Sequence, residues 1–444
     1  MTTRVLLMAE ACNPEWTSVP LVGYNFARAL AENPHLDVTL VSHVRNQEAL
    51  QRDAIASAAR LVFINNEWIA KPLYTLGRLL RGGKSLGWTT NMAVNWPAYI
   101  AFELQAARQL KSELQSGAFD IIHRITPVSP TLPSALATKT DVPMVIGPLN
   151  GGLPWPKEYP QLRGREREWL VPVRNVYRRL PWYQKSYRRL AGVIAGSRHT
   201  QSETPEGFRG QRLYMPENGI DPAKFQLAAG WTPPGERFQF VSVGRLVPYK
   251  GFHLTLQAMA ASPVLRECDF VIIGDGPEKE RLQTLAAELG LADRVTFAGW
   301  MPQEEVAGVL RASQAFVFPS LREFGGGVVL EAMASGLPSI IVDYGGPSEL
   351  IDARTGISIP MQAEATLIPE LTQAMQQLAT HPMLCEAMAN AALESVRQNH
   401  VWSAKARRME TLYQRLLSRD ESDTVPVDLS VENEIDQTEV LSYT

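Results

Sequence analysis

The chain has 444 residues, more than one hydrophobic core usually supports, so we expect two domains. Hydrophobic residues make up 45% of the sequence and charged residues 20%, which is ordinary for a globular protein. The formal net charge of −3 argues against a general polyanion binder, and we expect no nucleic-acid partner.

Short apolar runs alternate with amphipathic stretches through the first half of the sequence. Helical patterns lie between several of the apolar runs, for example at residues 22–30 and 98–114. The strand candidates are residues 5–8, 38–41, 61–64, 121–125, 143–146 and 193–195. Alternation of this kind predicts a parallel sheet with helices on both faces.

The same pattern restarts after a Pro/Gly-rich stretch at residues 230–235, which is typical of a linker or a domain boundary. Strands are predicted at residues 238–243, 270–273, 295–297, 315–318 and 339–342. Helices are predicted at residues 251–261, 278–289, 304–312 and 328–335, with a closing series over 366–417. The sequence therefore predicts an α/β protein with two doubly wound, Rossmann-like domains, in which ligands bind at the carboxyl ends of the strands.

We assign the first domain to residues 1–210, the second to 211–400, and a last helix to 401–418 that could pack on either domain. From residue 420 onward there are eight acidic residues and no Lys or Arg. Removing these eight negative charges from the net charge of −3 leaves +5 on the rest of the chain. The acidic, polar composition without periodicity predicts disorder over residues 419–444.

The cysteines and the N-terminal residues indicate the compartment. Cys12, Cys268 and Cys385 lie far apart and form no Cys-x-x-Cys pair, which suits a reducing compartment. The apolar run at residues 5–8 is too short for the core of a signal peptide, and no apolar stretch is long enough to cross a bilayer. We therefore expect a cytoplasmic protein, and leave open a peripheral position at the inner face of the cell membrane.

A basic turn follows the first strand of the second half. Arg245 and Lys250 lie just past the strand predicted at residues 238–243, where the next helix is about to begin. Two cations there suit a diphosphate, because Arg offers a planar fork of donors and Lys a compact point charge. A solvated basic turn is the alternative, and this motif alone favours the functional interpretation only modestly.

Three glycines flanked by two acids begin a later helix of the second half. Gly325, Gly326 and Gly327 precede the helix predicted at residues 328–335, and small residues there let backbone N–H groups approach an anion closely. Glu323 lies before this helix and Glu331 about one turn inside it. One carboxylate can therefore accept from ribose hydroxyls while the other faces the sugar. A helix-stabilising acid beside a tight turn is the alternative, which the basic turn elsewhere in the domain disfavours.

Two further turns lie at the same predicted edge of the sheet. Asp275 follows one strand, and Trp300 with Met301 follows the next, where they could meet a nucleobase, although each turn is more often a plain one when seen alone. The folded part of the sequence has no Asp-x-Asp pair and no His/Cys cluster with metal-ligand spacing, so we expect neither a metal site nor a cofactor. Arg245, Lys250 and the helix end would then neutralise the diphosphate.

These motifs together resemble the family 4 retaining glycosyltransferases, which have the GT-B fold. The resemblance covers most of residues 190–418. The matching elements are Gly244-Arg245-Leu246 with Lys250-Gly251, Gly274-Asp275-Gly276-Pro277, Glu323 through Glu331-Ala-Met-Ala-Ser-Gly-Leu-Pro338, and Asn218-Gly219-Ile220-Asp221 at the start of the second domain.

The resemblance implies roles for these positions. Arg245 and Lys250 would hold the diphosphate, Glu331 would bind the ribose, and Glu323 would contact the donor sugar. The family also implies a metal-independent reaction that retains the anomeric configuration, a UDP- or GDP-linked donor, and a last helix that crosses back onto the first domain. The remaining donor contacts would come from Gly325, Gly326, Gly327, Val328, Asp275, Trp300 and Met301.

The first half resembles the family more loosely. Only Gly23 remains of the family's glycine-rich first loop, and Val19 stands where an acidic residue is often found. We assign Ser18 and Gly23 to the acceptor side of the cleft.

Two more positions of the first half are candidates for the cleft. His123 keeps the first of two histidines that many members have, with Ile125 in place of the second; we assign it a catalytic role, and a core position is the alternative. Asn150 and Gly151 lie in a Gly-Pro-Leu-Asn-Gly-Gly turn that is expected to line the sugar or acceptor site, unless it is a plain loop turn.

A stretch at residues 163–190 carries nine Arg or Lys residues, two Glu residues and five interleaved aromatic residues. Such a pattern suits an anionic membrane surface and a lipid-linked acceptor, and it also suits single-stranded nucleic acid. A solvated helical pair with its aromatic side chains packed inward is the alternative.

The sequence thus predicts a retaining glycosyltransferase that moves a hexose from a nucleoside diphosphate sugar to a glycan or a lipid-linked acceptor. Two alternatives stay open: a sugar-nucleotide epimerase with the GT-B fold, and a catalytically idle partner that binds a sugar nucleotide.

Overall fold

The structure is a computed structural model that describes residues 2–81, 88–165, 178, 180–223 and 225–418. Residues 74, 76–81, 88–95 and 163–165 are described by their backbone alone. Two parallel sheets, one of seven strands and one of six, form the centres of two Rossmann-like domains. Residues 166–177 and 179 of the predicted membrane-binding stretch, and the predicted acidic tail at 419–444, lie outside the described residues.

The first sheet has the strand order β3-β2-β1-β4-β5-β6-β7, and all neighbouring strands are parallel. Its central strands are almost completely buried, because helices cover both faces of the sheet. The strands are β1 (Thr3–Ala9), β2 (Leu36–His43), β3 (Arg60–Ile64), β4 (Ile121–Thr126), β5 (Met144–Leu149), β6 (Gly192–Ala195) and β7 (Gln211–Tyr214).

The second sheet has the order β10-β9-β8-β11-β12-β13 and is also parallel throughout. Its strands are β8 (Gln239–Val243), β9 (Asp269–Ile273), β10 (Val295–Gly299), β11 (Ala315–Phe318), β12 (Ser339–Asp343) and β13 (Gly356–Pro360). Successive strands run outward from β8 in one direction and from β11 in the other. The strand order therefore reverses between β8 and β11, which is where ligands bind in open α/β sheets.

The helices lie between the strands, as the hydrophobic periodicity predicts. In the first domain they are α1 (Val19–Ala31), α2 (Gln47–Arg52), α3 (Ile55–Ala58), α4 (Glu67–Arg81), α5 (Trp88–Gln109), α6 (Lys111–Gln115), α7 (Pro160–Arg165), α8 (Pro181–Arg188) and α9 (Arg198–Ser202). Those that follow are α10 (Phe252–Ala261), α11 (Pro263–Arg266), α12 (Lys279–Glu288), α13 (Gln303–Ala312), α14 (Gly327–Ala334), α15 (Glu364–Thr380), α16 (Pro382–Ser395) and α17 (Trp402–Ser418).

All eleven predicted strands are present, and the two that the sequence did not reveal, β7 and β13, are edge strands. An edge strand pairs on one side only and its apolar run is shorter, so its pattern is weaker. Because β7 pairs with β6, the predicted domain boundary at residue 210 is too early: residues 211–214 belong to the first sheet. The stretch at 230–235 lies against the second domain, where the indole of Trp231 donates to the backbone of Gln314.

The chain passes between the domains twice at one place. After β7 it enters the second domain, and Ile220 pairs there with Val401, just before α17 begins. The backbone N–H of Trp402 donates to Ile220 and that of Ile220 donates to His400. Helix α17 then packs against α1, with Met409 and Tyr413 in the core of the first domain. The last helix is therefore part of the first domain's packing.

Candidate functional site

The loops after β8 and β11 meet where the strand order of the second sheet reverses. The first loop carries Arg245 and Lys250, and the second carries Glu323 and the glycines that lead into α14. β8 and β11 pair directly, so residues about 75 positions apart in sequence are brought to the same sheet edge. The structure thus places Arg245, Lys250 and Glu323 at one sheet edge, with Glu331 one turn inside the helix that follows; the space between these two loops is called the crevice below.

Lys250 and Glu323 form an ion pair across this crevice. The Lys250 ammonium also lies 4.8 Å from the centre of the Phe318 ring, so an aromatic face covers its other side. Both side chains are mostly buried. Arg245 is exposed, and within the described part of the chain its guanidinium has no hydrogen bond or ion pair. Its donors are therefore available to an anion.

The glycine loop (residues 324–327) turns the chain sharply into α14. Gly326 has φ +61°, a left-handed conformation that favours glycine, and it caps the N-terminus of α14, which starts at Gly327. The first N–H groups of a helix have no partner within it, and the helix dipole gives them a partial positive charge. Since no side chain covers a glycine, these donors can approach an anion at short range.

Glu331 lies one turn inside α14, and Gln303 reaches it from the start of α13. The side-chain amide of Gln303 donates to the Glu331 carboxylate at 2.8 Å. Burial raises the pKa of Glu331 from 4.5 to about 7, and the hydrogen bond from Gln303 opposes this shift only in part. A carboxylate whose pKa is raised by burial near a crevice is typical of a binding site.

The other predicted donor residues lie on neighbouring loops. Asp275 joins the loops after β8 and β9, because its backbone carbonyl accepts from Leu246 at 2.9 Å. Trp300 follows β10 and is 76% exposed, while the neighbouring Met301 is half-buried. β10 is two strands away from β8. Gln303, just beyond Met301, nevertheless contacts α14 through its hydrogen bond to Glu331.

The first domain brings the turn after β5 to the same crevice. The amide of Asn150, which is 95% buried, donates to both oxygens of Glu217 at 2.8 Å and to the backbone carbonyl of Phe324 at 3.0 Å. The backbone carbonyl of Gly151 accepts from Thr200 at 3.1 Å. Asn150 thus contacts the glycine loop of the other domain, and Gly151 connects the turn to α9 through Thr200.

The other two predicted acceptor residues lie at the start of α1. Ser18 is exposed and precedes the helix with φ +64°, an unusual conformation for a residue with a side chain. Gly23 lies within α1, where a Cβ would overlap the backbone carbonyl of Ala11 and come within 2.8 Å of Thr126. Glycine here lets α1 pack against the ends of β1 and β4, so packing explains the glycine at this position.

The structure does not bring His123 into the crevice. Its side chain is completely buried in the core of the first domain, with one ring nitrogen 2.6 Å from the Tyr413 hydroxyl and the other 2.8 Å from the carbonyl of Gly147. Burial lowers its pKa from 6.5 to about 4, so the ring is neutral at pH 7. In this structure His123 joins β4 to α17, which is the core position that the sequence left as the alternative to catalysis.

Two groups at the site were not predicted. Glu217, in the segment between the domains, lies against the glycine loop, and burial raises its pKa to about 7 while Asn150 opposes the shift. The Lys405 ammonium is buried nearby and donates to the carbonyl of Pro216 at 2.5 Å; burial lowers its pKa to about 7. One signal in the sequence pointed to Glu217, its position next to the Asn218-Gly219 motif. No signal pointed to Lys405, because its place in the helical pattern is typical of a surface residue.

Comparison with known proteins shows similarity to glycosyltransferases over the second half of the chain. Residues 224–395 match the family Glycosyl transferases group 1. This region holds both loops of the crevice and α14. Alpha-D-kanosaminyltransferase of Streptomyces kanamyceticus is 34% identical over 176 residues, 39% of this chain and 45% of that protein. The lipopolysaccharide core biosynthesis glycosyltransferase LpsD of Rhizobium meliloti is 34% identical over 40% of this chain and 49% of its own.

The likeness to solved structures extends beyond the region matched by the group 1 family, over nearly the whole chain. The chain spans less than half the length of these curated relatives. Solved structures align over nearly all of it: sucrose-phosphate synthase from Thermosynechococcus elongatus has a TM-score of 0.62 at 18% identity, covering 94% of this chain and 99% of that one. Anabaena HepE in complex with UDP has a TM-score of 0.57 at 18% identity, covering 93% and 100%. These likenesses confirm the predicted GT-B fold.

Proposed function

We propose that this protein is a retaining glycosyltransferase that transfers a hexose from a nucleoside diphosphate sugar. The observation that supports the proposal most strongly is the Lys250–Glu323 ion pair beside Arg245, close to the glycine-rich N-terminus of α14. This arrangement offers two cations and a helix end to an anion, next to a carboxylate for hydroxyl groups. A diphosphate joined to a sugar carries both kinds of group, an anion and several hydroxyls.

Each donor group has a matching position. Arg245, Lys250 and the N-terminus of α14 hold the diphosphate, and Glu331 accepts from the ribose hydroxyls. Glu323 accepts from a hydroxyl of the sugar, and its pairing with Lys250 holds both side chains in place before the donor binds. The relatives support a nucleotide donor: Anabaena HepE has been solved with UDP and glucose, and a relative in Mycolicibacterium smegmatis is a GDP-mannose-dependent mannosyltransferase.

The proposed reaction takes place on one face of the sugar. The acceptor hydroxyl oxygen forms a bond to the anomeric carbon from the side on which the diphosphate leaves. The bond from the anomeric carbon to the diphosphate oxygen breaks, and its electron pair stays on that oxygen. The acceptor's proton passes to the same diphosphate oxygen, so no separate base is needed and the configuration is retained. Arg245 and Lys250 stabilise the charge that develops there, and the proposal involves no metal ion.

The acceptor would bind on the first domain, across the crevice from the donor. A glycan or a lipid-linked acceptor fits the relatives, which include the LpsD lipopolysaccharide core enzyme and a phosphatidylinositol monomannoside mannosyltransferase. Among the described residues, no helix has both the length and the apolar character needed to span a bilayer. A peripheral membrane contact through residues 163–190 remains part of the proposal.

The proposal can be tested with a panel of UDP- and GDP-linked sugars. A ligand that binds the folded state raises the melting temperature by mass action, so a thermal-shift screen identifies the donor. Product analysis of that donor with and without an acceptor extract then separates three outcomes. Transfer with retained configuration supports the proposal, a donor epimer formed without acceptor indicates an epimerase, and binding without turnover indicates an idle partner. No shift with any nucleotide sugar would refute the proposed donor site.

A further inference from the structure

One carboxylate is enclosed by groups from both domains directly beneath the glycine loop. Glu217 lies in the segment that joins the two domains, between β7 and β8. A Cβ on Gly325 of the second domain would overlap the Glu217 carboxylate, and a Cβ on Gly196 of the first domain would lie 2.6 Å from it. Since each of these glycines leaves room for the same carboxylate, its position is fixed by packing from both sides.

Asn150 connects this carboxylate to the glycine loop by hydrogen bonds. Its amide nitrogen lies 2.8 Å from each oxygen of Glu217 and 3.0 Å from the carbonyl oxygen of Phe324, the first residue of the loop. On its other side, the Asn150 carbonyl accepts from the hydroxyl of Ser197 at 3.2 Å. Asn150 is therefore hydrogen-bonded to the first domain through Ser197 and to the second domain through the backbone carbonyl of Phe324.

The segment next to Glu217 continues the same contact. The side chain of Asn218 lies beneath Gly325 and Gly327, within 2.5 Å of where a Cβ on Gly325 would lie. The Lys405 ammonium donates to the backbone carbonyl of Pro216, the residue that precedes Glu217. The conformation of the glycine loop thus depends on residues outside the second domain as well as on α14.

We propose that Asn150 and Glu217 form a latch that positions the glycine loop, so that the second domain binds its donor tightly only when the first domain is docked on it. Glu217 is a positioning residue in this scheme, because it acts on the donor through the backbone of Phe324 and Gly325. The consequence for donor affinity rests on the proposed function, whereas the consequence for the order of the loop does not.

The experiment compares Glu217→Ala, Glu217→Gln and Glu349→Ala in the full-length protein. Glu217→Ala removes the group that Asn150 and Gly325 pack against, while Glu217→Gln keeps its shape and an acceptor for Asn150. Glu349→Ala is the matched control, because the Glu349 carboxylate also joins the domains, accepting from the backbone N–H of Arg198 at 2.9 Å in a contact that does not include Asn150. Melting temperatures establish that each variant is folded.

Hydrogen–deuterium exchange of the ligand-free proteins tests the latch directly. We expect the peptide containing residues 324–328 to exchange at least tenfold faster in Glu217→Ala, and within about threefold of wild type in Glu217→Gln and Glu349→Ala. Wild-type exchange in Glu217→Ala would overturn the proposal. So would equal acceleration in Glu349→Ala, which would show a general loosening of the domains, or in Glu217→Gln, which would show that packing is not the cause.

Calorimetric titration with UDP and with GDP tests the consequence for the donor. We expect that without the latch the glycine loop adopts its donor-binding conformation about a tenth of the time. Glu217→Ala should therefore bind each nucleotide about tenfold more weakly than wild type. Unchanged affinity in that variant would overturn this part of the proposal. If neither nucleotide binds the wild-type protein, the proposed function fails, and the exchange comparison still decides whether the latch exists.

Discussion

Replacing Glu331 with glutamine should make the protein more stable and a weaker donor binder at once. Burial raises the pKa of Glu331 from 4.5 to about 7, so the folded protein binds the proton of this carboxyl more tightly than the unfolded chain does. Ionisation therefore costs stability. The cost is absent below pH 4.5, grows between pH 4.5 and 7, and stays constant above pH 7.

The size of the effect follows from the pKa shift. One pKa unit corresponds to about 1.4 kcal/mol, so a shift from 4.5 to about 7 gives at most about 3 kcal/mol at pH 8. Because Glu331 is partly exposed, water reduces this figure, and we expect about 1–2 kcal/mol. In a domain of about 200 residues this raises the melting temperature by about 2–8 °C. Glutamine keeps the shape of the side chain and removes its charge.

The assay is thermal unfolding of wild type and Glu331→Gln at pH 5 and pH 8, followed by nucleotide titration at both pH values. We expect the gain in melting temperature to be larger at pH 8, and wild-type affinity to fall as the pH drops below 7, when the carboxylate becomes protonated. Glu304→Gln, at an exposed glutamate of the same region, is the control and should change neither. A stabilisation that is absent at pH 8 would refute the burial argument.

The other predictions concern single positions. Lys250→Ala should lower the rate of transfer about 10²–10³-fold while Lys250→Arg retains part of it, and wild-type turnover of the alanine variant would refute the assignment. Trp300→Ala should change the free energy of unfolding by less than about 0.5 kcal/mol, because the side chain is 76% exposed, but raise the donor KM; an unchanged KM would remove Trp300 from the donor site. Tyr413→Phe should cost about 1–3 kcal/mol in denaturant unfolding, because it leaves a ring nitrogen of buried His123 unpaired, with the turnover number of the folded fraction unchanged. A large fall in that turnover number instead would return His123 to a catalytic role.

The donor side of the crevice was predictable because its residues form two short clusters in the sequence, each of which lies on a regular pattern. Arg245 and Lys250 follow one strand, and Glu323 and Glu331 flank one helix start, so the local pattern already places them at the carboxyl ends of strands. A parallel sheet with buried strands then requires those ends to meet at one edge. The chemistry of the residue types, two cations with glycines and acids, completes the prediction without any tertiary information.

The same reasoning was insufficient for His123 and for the domain boundary. A histidine in a strand can point toward either face, and only the packing of α17 against α1 shows that Tyr413 occupies the space beside its ring. The boundary was placed before residue 211 because β7 is a short edge strand, whose membership depends on its pairing with β6. Both questions depend on contacts between residues far apart in the chain, which periodicity does not report.

The sequence by itself determined the two α/β domains, the loop that carries Arg245 and Lys250, and the glycine-rich loop that leads into α14. These features depend on local periodicity and on residue chemistry. Only the tertiary structure decided that Asn150, Glu217 and Lys405 meet beneath the glycine loop. These three residues come from the first domain, the connecting segment and the last helix, and they become neighbours only because the chain passes between the domains twice at the same place. Their charges and amide are buried by that crossing, and burial is a property of the folded chain alone.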